Sequence, residues 1–270
     1  MCDLLFIVPL TVVALLGGTV VLHGLANLGK VGRRCSDAMA RAPLLDLMIT
    51  YFVIAPLVLG LTVGGGLGLA AAAIGQCLTV LIWTVLHAWS HPAARRGPRI
   101  LKVLNRVVGP WRNYAAVWIT VVVAPLFWVI RMAQILLYPL LVWLVRFPRY
   151  EQGDWVNVSR QKFDGLVGHD LIWCLYCDWM TGVWSLGSEM LRNVESFWCP
   201  IRFDDHKKCE NCRVDFPDVE KEWVPAKASM AEVAYLLESK YTGAVNAWYG
   251  HKTRLTMNGN HLESDGSRRP

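Results

Sequence analysis

Acidic residues are nearly missing from the first 147 positions of this chain. Only Asp3, Asp37 and Asp46 occur there and glutamate does not, so twelve Lys and Arg leave the stretch at net +9. Residues 148–270 carry 15 Lys and Arg against 18 Asp and Glu, a net −3. The overall charge of +6 therefore belongs to the front half. A nucleic-acid-binding domain would need its basic face on the more polar back half, which is net acidic, so that class is disfavoured. Charge of either sign is scarce overall: 18% of residues, below the ~25% usual for soluble domains. Catalytic signatures are also lacking. There is no Walker A loop, no G-x-G-x-x-G after a strand, no H-E-x-x-H and no G-x-S-x-G. Asp204 and Asp205 sit side by side between cysteines and read as solvated acids rather than an acid–base pair.

What is present in quantity is apolar: 54% of the 270 residues are hydrophobic. Residues 4–25 form an uncharged run whose length suits the ~30 Å hydrocarbon core of a bilayer at 1.5 Å rise per residue. No cationic segment precedes it, so it reads as a retained span, not a cleaved leader. A second span is expected over 44–63, a tight break at Gly64-Gly65-Gly66, and a third span over 67–89, closed by Pro92. Basic segments lie at 29–41 (Lys30, Arg33, Arg34, Arg41) and at 95–112 (Arg95, Arg96, Arg99, Lys102, Arg106, Arg112). Two spans separate them, so both face one side. The excess of Lys and Arg in cytoplasmic loops makes that side cytoplasmic and leaves the N-terminus outside, in a cell (inner) membrane.

Residues 115–147 are apolar but interrupted by Pro125, Arg131 and Pro139. One straight helix of that length would run ~50 Å, too long for a simple crossing. It is a tilted helix, a re-entrant hairpin that returns the chain to the cytoplasm, or an interfacial segment. Arg131, Gln134 and Tyr138 fall on one helical face and form a candidate intramembrane or partner-facing polar surface, because an arginine at membrane depth needs protein or water beside it. His87 and His91 make an H-x-x-x-H pair that can hold a metal or haem, although two interfacial histidines are the plainer reading.

The back half, 148–241, reads as a cysteine-rich extramembrane module followed by a polar tail over 242–270. Apolar residues from Leu171 to Phe197 recur near a 3.6 period and predict a tryptophan-rich helix over 170–198. Ser229-Met230-Ala231-Glu232 is a capping box that opens a short helix. Asn157-Val158-Ser159 is a chance sequon. Five of eight cysteines cluster here: Cys174/Cys177, Cys199 and Cys209/Cys212. Two C-x-x-C pairs supply the four thiolates of a tetrahedral site, so Cys209 and Cys212 with two of Cys174, Cys177 and Cys199 are the candidate ligands of a structural zinc, with iron as the alternative. Disulfides would require an oxidising compartment.

The fold class expected is thus mainly α: a polytopic helical membrane bundle with a zinc-stabilised C-terminal module. The function expected is that of a non-enzymatic membrane subunit, scaffold or assembly protein whose module docks a protein partner. The alternatives are a membrane redox protein with an iron–thiolate centre and a small transporter or channel with Arg131 in its pathway.

Overall fold

The computed structural model describes residues 2–216, 219–240, 256–257 and 260–261. The expected polar tail lies almost wholly outside them. Apart from a two-residue antiparallel ladder pairing Thr256–Met257 with Asn260–His261, the described elements are helical. They are α1 (Cys2–Ala26), α2 (Gly29–Met39), α3 (Leu44–Ile49) continued through a π turn (Thr50–Ile54), and α4 (Ala55–Ser90). Then come α5 (Pro92–Arg96), α6 (Ile100–Val108), α7 (Pro110–Val121), α8 (Ala124–Leu136), α9 (Tyr138–Val145) and α10 (Gln152–Trp155). The long α11 (His169–Trp198), α12 (His206–Asp215), α13 (Val219–Glu222) and α14 (Met230–Lys240) complete the set. The chain divides into two compact units, residues 1–128 with 156–182, and residues 129–155 with 183–270.

Three helical stretches are long and apolar enough to cross a membrane: Phe6–Ala26, Leu44–Ser90 and Pro110–Val145. The middle one is not a single rod. Gly65 adopts φ 58° and ψ −145°, a conformation essentially reserved for glycine, and the chain reverses there. Gln76 Nε2 donates to the carbonyls of Phe52 (2.9 Å) and Val53 (2.8 Å). A Cβ on Gly60 would collide with the Gly68 carbonyl, and one on Gly68 with that of Gly60. Positions 60 and 68, and 52 and 76, share one midpoint at Gly64, as in an antiparallel hairpin. Each arm is ~30 Å long at helical rise. Small residues at the contact let the backbones approach, the usual device where lipid removes the hydrophobic drive between helices.

Helix α1 packs along this hairpin. A Cβ on Gly75 would lie 2.8 Å from Thr11 Cβ, and Ile7 reaches Gly64 and Gly68 near the reversal. Further along, the Tyr51 hydroxyl donates to the Ala14 carbonyl at 2.7 Å. The start of α1 therefore sits at the hairpin tip, and its end at the feet. Both basic segments also start from the feet, at residues 43 and 91.

The feet are tied to the segment that leads into α11. Ala42 N–H donates to the Val156 carbonyl (2.9 Å) and Val158 N–H to that of Ala40 (2.8 Å). Lys162 pairs with Asp37 at 3.1 Å. Gly168 N–H donates to His87 Nδ1 at 3.2 Å. From there the first half of α11 runs in parallel beside α7: Tyr114 meets His169, Trp118 meets Trp173, and the Tyr176 hydroxyl donates to the Thr120 carbonyl at 2.7 Å. Trp128, eighteen positions beyond Pro110, donates its indole N–H to Thr50 Oγ1 at 2.9 Å. Thr50 is under two turns from the foot of the hairpin.

In the second unit the latter half of α11 is the spine. Val183 and Leu186 are fully buried, Met190 nearly so, and Phe147 is wedged edge-on against Phe197 and Trp198. The capping box forms: Ser229 N–H and Oγ reach Glu232 Oε1 at 3.1 and 3.2 Å, and α14 starts at the next residue.

Candidate functional site

Helix α11 brings four polar side chains of its second half into the protein rather than to water. Glu189 and Asn193 are fully buried, and Ser196 and Arg192 nearly so. They fall at spacings of three and four residues, so they share one face. Asn193 Nδ2 donates to the hydroxyls of Tyr138 (3.0 Å) and Tyr150 (2.6 Å), and the Tyr138 hydroxyl donates to the Pro148 carbonyl (3.1 Å). Burial pushes the Tyr150 phenol well above its ordinary range, with Tyr138 and Glu189 adding to the shift, so it stays a neutral donor or acceptor.

Arg131 is 1% exposed. Its guanidinium donates to Gln134 Oε1 (3.0 Å) and to Gln152 Oε1 (2.6 Å). Gln134 in turn donates to the Val183 carbonyl (2.8 Å). A Cβ on Gly187 would lie 3.1 Å from Gln134 Nε2, so that glycine makes room for the amide. The planar fork of arginine can serve two acceptors in different directions, which an ammonium on one stem does less well. Arg131, Gln134 and Tyr138 are all buried in protein within this unit.

Arg192 ties α11 to the cysteine segment. Its Nη2 donates to Cys212 Sγ at 2.8 Å and its Nη1 pairs with Glu195 at 2.7 Å. The guanidinium stacks over Phe216 (4.0 Å) and Trp223 (4.9 Å). Trp223 Nε1 donates to Ser196 Oγ at 3.2 Å. Cys212, Phe216, Val219 and Trp223 pack as one cluster with Phe203 against it. Val224 N–H to the Pro200 carbonyl and Arg202 N–H to the Val224 carbonyl close the segment. Desolvation raises the Cys212 thiol, opposed by the Arg192 charge.

The expected zinc arrangement is not assembled here. Among the described residues no three His, Cys, Asp or Glu side chains come together in a metal-holding group. Cys174 and Cys177 lie in the first unit, Cys199, Cys209 and Cys212 in the second. Both C-x-x-C pairs sit on helices rather than on a tight knuckle turn. Cys209 lines an open cleft with His206, Glu210 and Arg202, while Cys212 is buried against Arg192. In the segment 199–225 the Arg192 guanidinium lies over the Phe216 and Trp223 rings and serves as core material beside the few apolar side chains. His87 and His91 stack at 4.4 Å between ring centroids, with His91 Nδ1 3.0 Å from Ser90 Oγ. His87 accepts from Gly168 and so supports a loop in this structure.

On the opposite side of the same stretch of α11, Trp184 (61%), Leu191 (57%) and Trp198 (57%) are exposed. They are seven residues apart and line one stripe. The 3.6 period of the helix does not by itself separate this stripe from the buried Trp179. The heptad spacing of 184, 191 and 198 was the signal. Comparisons with protein families, curated proteins and solved structures returned no match.

Proposed function

We propose that the protein is a non-enzymatic integral membrane subunit, a scaffold whose back half docks a partner through the exposed stripe of α11. The observation that carries this reading is the two-sidedness of that helix. One side is held by Glu189, Arg192, Asn193 and Ser196 and cannot turn away. The other presents two tryptophans and a leucine at heptad spacing, the geometry that accepts a partner helix as knobs into holes. Tryptophan is enriched among the residues that anchor protein interfaces.

The basic feet face the cytoplasm in this proposal, and 110–145 does not carry the chain across. The hydrogen bonds of 156–168 to both hairpin feet and the return of Trp128 to Thr50 support that path. The back half is then cytoplasmic, with its thiols reduced. The docking role does not depend on a metal.

Gentle extraction from native membranes followed by native electrophoresis tests the docking claim. The wild-type chain should migrate in a complex larger than itself. Trp184→Asp with Leu191→Asp should release the free subunit while helicity is unchanged. An unaltered complex would reject the stripe as the docking surface.

A further inference from the structure

The stretch 91–112 of the first unit joins the end of α4 to the start of the apolar run at Pro110, so the membrane hairpin holds it at the bilayer surface. Within it, Ile100, Val103, Leu104, Val107 and Val108 recur at i, i+3, i+4, i+7 and i+8, which places them on one face of α6. All five are exposed, Val107 at 72%. Lys102 and Arg106 occupy the other side. The stretch carries six cations and no acid. Trp89 and Trp111, both exposed, bracket α5 and α6, with Arg95 5.9 Å from the first ring and Arg112 6.0 Å from the second. Tryptophan beside a cation is the ordinary composition of the headgroup layer.

The helix is also fixed in place. It has no capping side chain of its own. Instead Asp170 caps it from α11: its carboxylate accepts from the N–H groups of Ile100 (3.1 Å) and Leu101 (3.0 Å) and from Arg99 Nε (2.7 Å). Arg99 is thereby occupied, which leaves Arg95, Arg96, Lys102 and Arg106 as the cations of α5 and α6 for other anions.

We propose that α5 and α6 form an anionic-lipid-binding element, with α6 lying in the headgroup plane, its aliphatic face in the acyl boundary and these four cations against lipid phosphates. An amphipathic helix with cations on its polar side binds such a surface through buried apolar area plus charge attraction. The element is independent of the α11 stripe, and its failure would leave the docking proposal standing.

The test is lipid selectivity of the full chain in phosphatidylcholine bilayers, read with spin-labelled phosphatidylglycerol against spin-labelled phosphatidylcholine. One Lys or Arg at an anionic surface is worth on the order of a fivefold preference, so at least about fivefold enrichment of phosphatidylglycerol at the protein surface is expected at low salt. The variant Arg95→Gln, Arg96→Gln, Lys102→Gln, Arg106→Gln should bring the ratio close to one. Inorganic phosphate should displace the lipid no better than chloride of equal ionic strength. No preference in the wild type, an unchanged preference in the variant, or selective displacement by phosphate would each overturn the proposal. A second readout does not rely on that variant. A nitroxide on Val107→Cys, in a background without native cysteines, should be accessible to oxygen and shielded from an aqueous nickel chelate. A nitroxide exposed to the chelate would likewise overturn it.

Discussion

At the residue scale, single polar groups hold distant parts of each unit together, and they fail in distinct ways. Asp170 is 3% exposed as a side chain and Arg99 9%. Burial opposes its ionisation, but hydrogen bonds from His169, Arg99 and the Leu101 N–H outweigh burial and hold its carboxyl at about 2, below the ordinary 3.8. A carboxyl depressed in the folded state stabilises the fold above its unfolded value and loses that contribution as pH falls through the folded one. Stability from this clamp should therefore be intact above about pH 4 and fade toward pH 2, and Asp170→Asn should flatten thermal stability across that window. Removing one partner of a buried ion pair costs roughly 3–5 kcal/mol, a loss readable in detergent unfolding at pH 7. Arg131→Leu should likewise destabilise the second unit by several kcal/mol, because the Gln134 and Gln152 oxygens lose their donor in a buried setting. Arg131→Lys should recover only part of it. The spacing of Arg131, Gln134 and Tyr138 made their common face legible in the sequence. Gln152, Asn193 and Tyr150 were not legible, because their partners lie twenty to fifty-five positions away and no period links them.

At the element scale, the α3–α4 hairpin and the two sides of α11 follow from spacing. The glycine triplet announced the reversal. The hairpin geometry adds the reason Gly60 and Gly68 must be small: each backbone sits where the other's Cβ would go. Gly65→Ala should cost about 1–3 kcal/mol for the strained backbone alone. Gly68→Leu should cost more, since it must part the two arms, and cross-linking between cysteines placed at 52 and 76 should fall with it. The amphipathic period of α6 was present in the sequence, but the surrounding arginines drew the segment into a basic loop. The cysteine motifs are ambiguous for a related reason. Spacing of three residues fits a metal knuckle and a helical turn equally well, and burial of Cys212 against Arg192 comes from α11, which local spacing does not reveal.

At the scale of the whole molecule, the account rests on where the chain goes after its membrane hairpin. The front half was legible, since a 20-residue apolar run has few alternatives to a span. The run after Pro110 was not, because its length and its composition pointed in different directions. The contacts of 156–168 with the hairpin feet are what the proposed return to the basic side rests on. The most direct measurement is cysteine accessibility in intact cells with a membrane-impermeant reagent, one site at a time in a background without native cysteines. Ser36, Ala94 and Gln161 mark the two basic segments and the start of the back half. Gly66, where a side chain meets open space, marks the hairpin tip. The account predicts that Gly66→Cys reacts in intact cells, whereas Ser36→Cys, Ala94→Cys and Gln161→Cys react only after permeabilisation. Reaction of Gln161→Cys together with Gly66→Cys, while Ala94→Cys stays protected, would put the back half on the far side and contradict it.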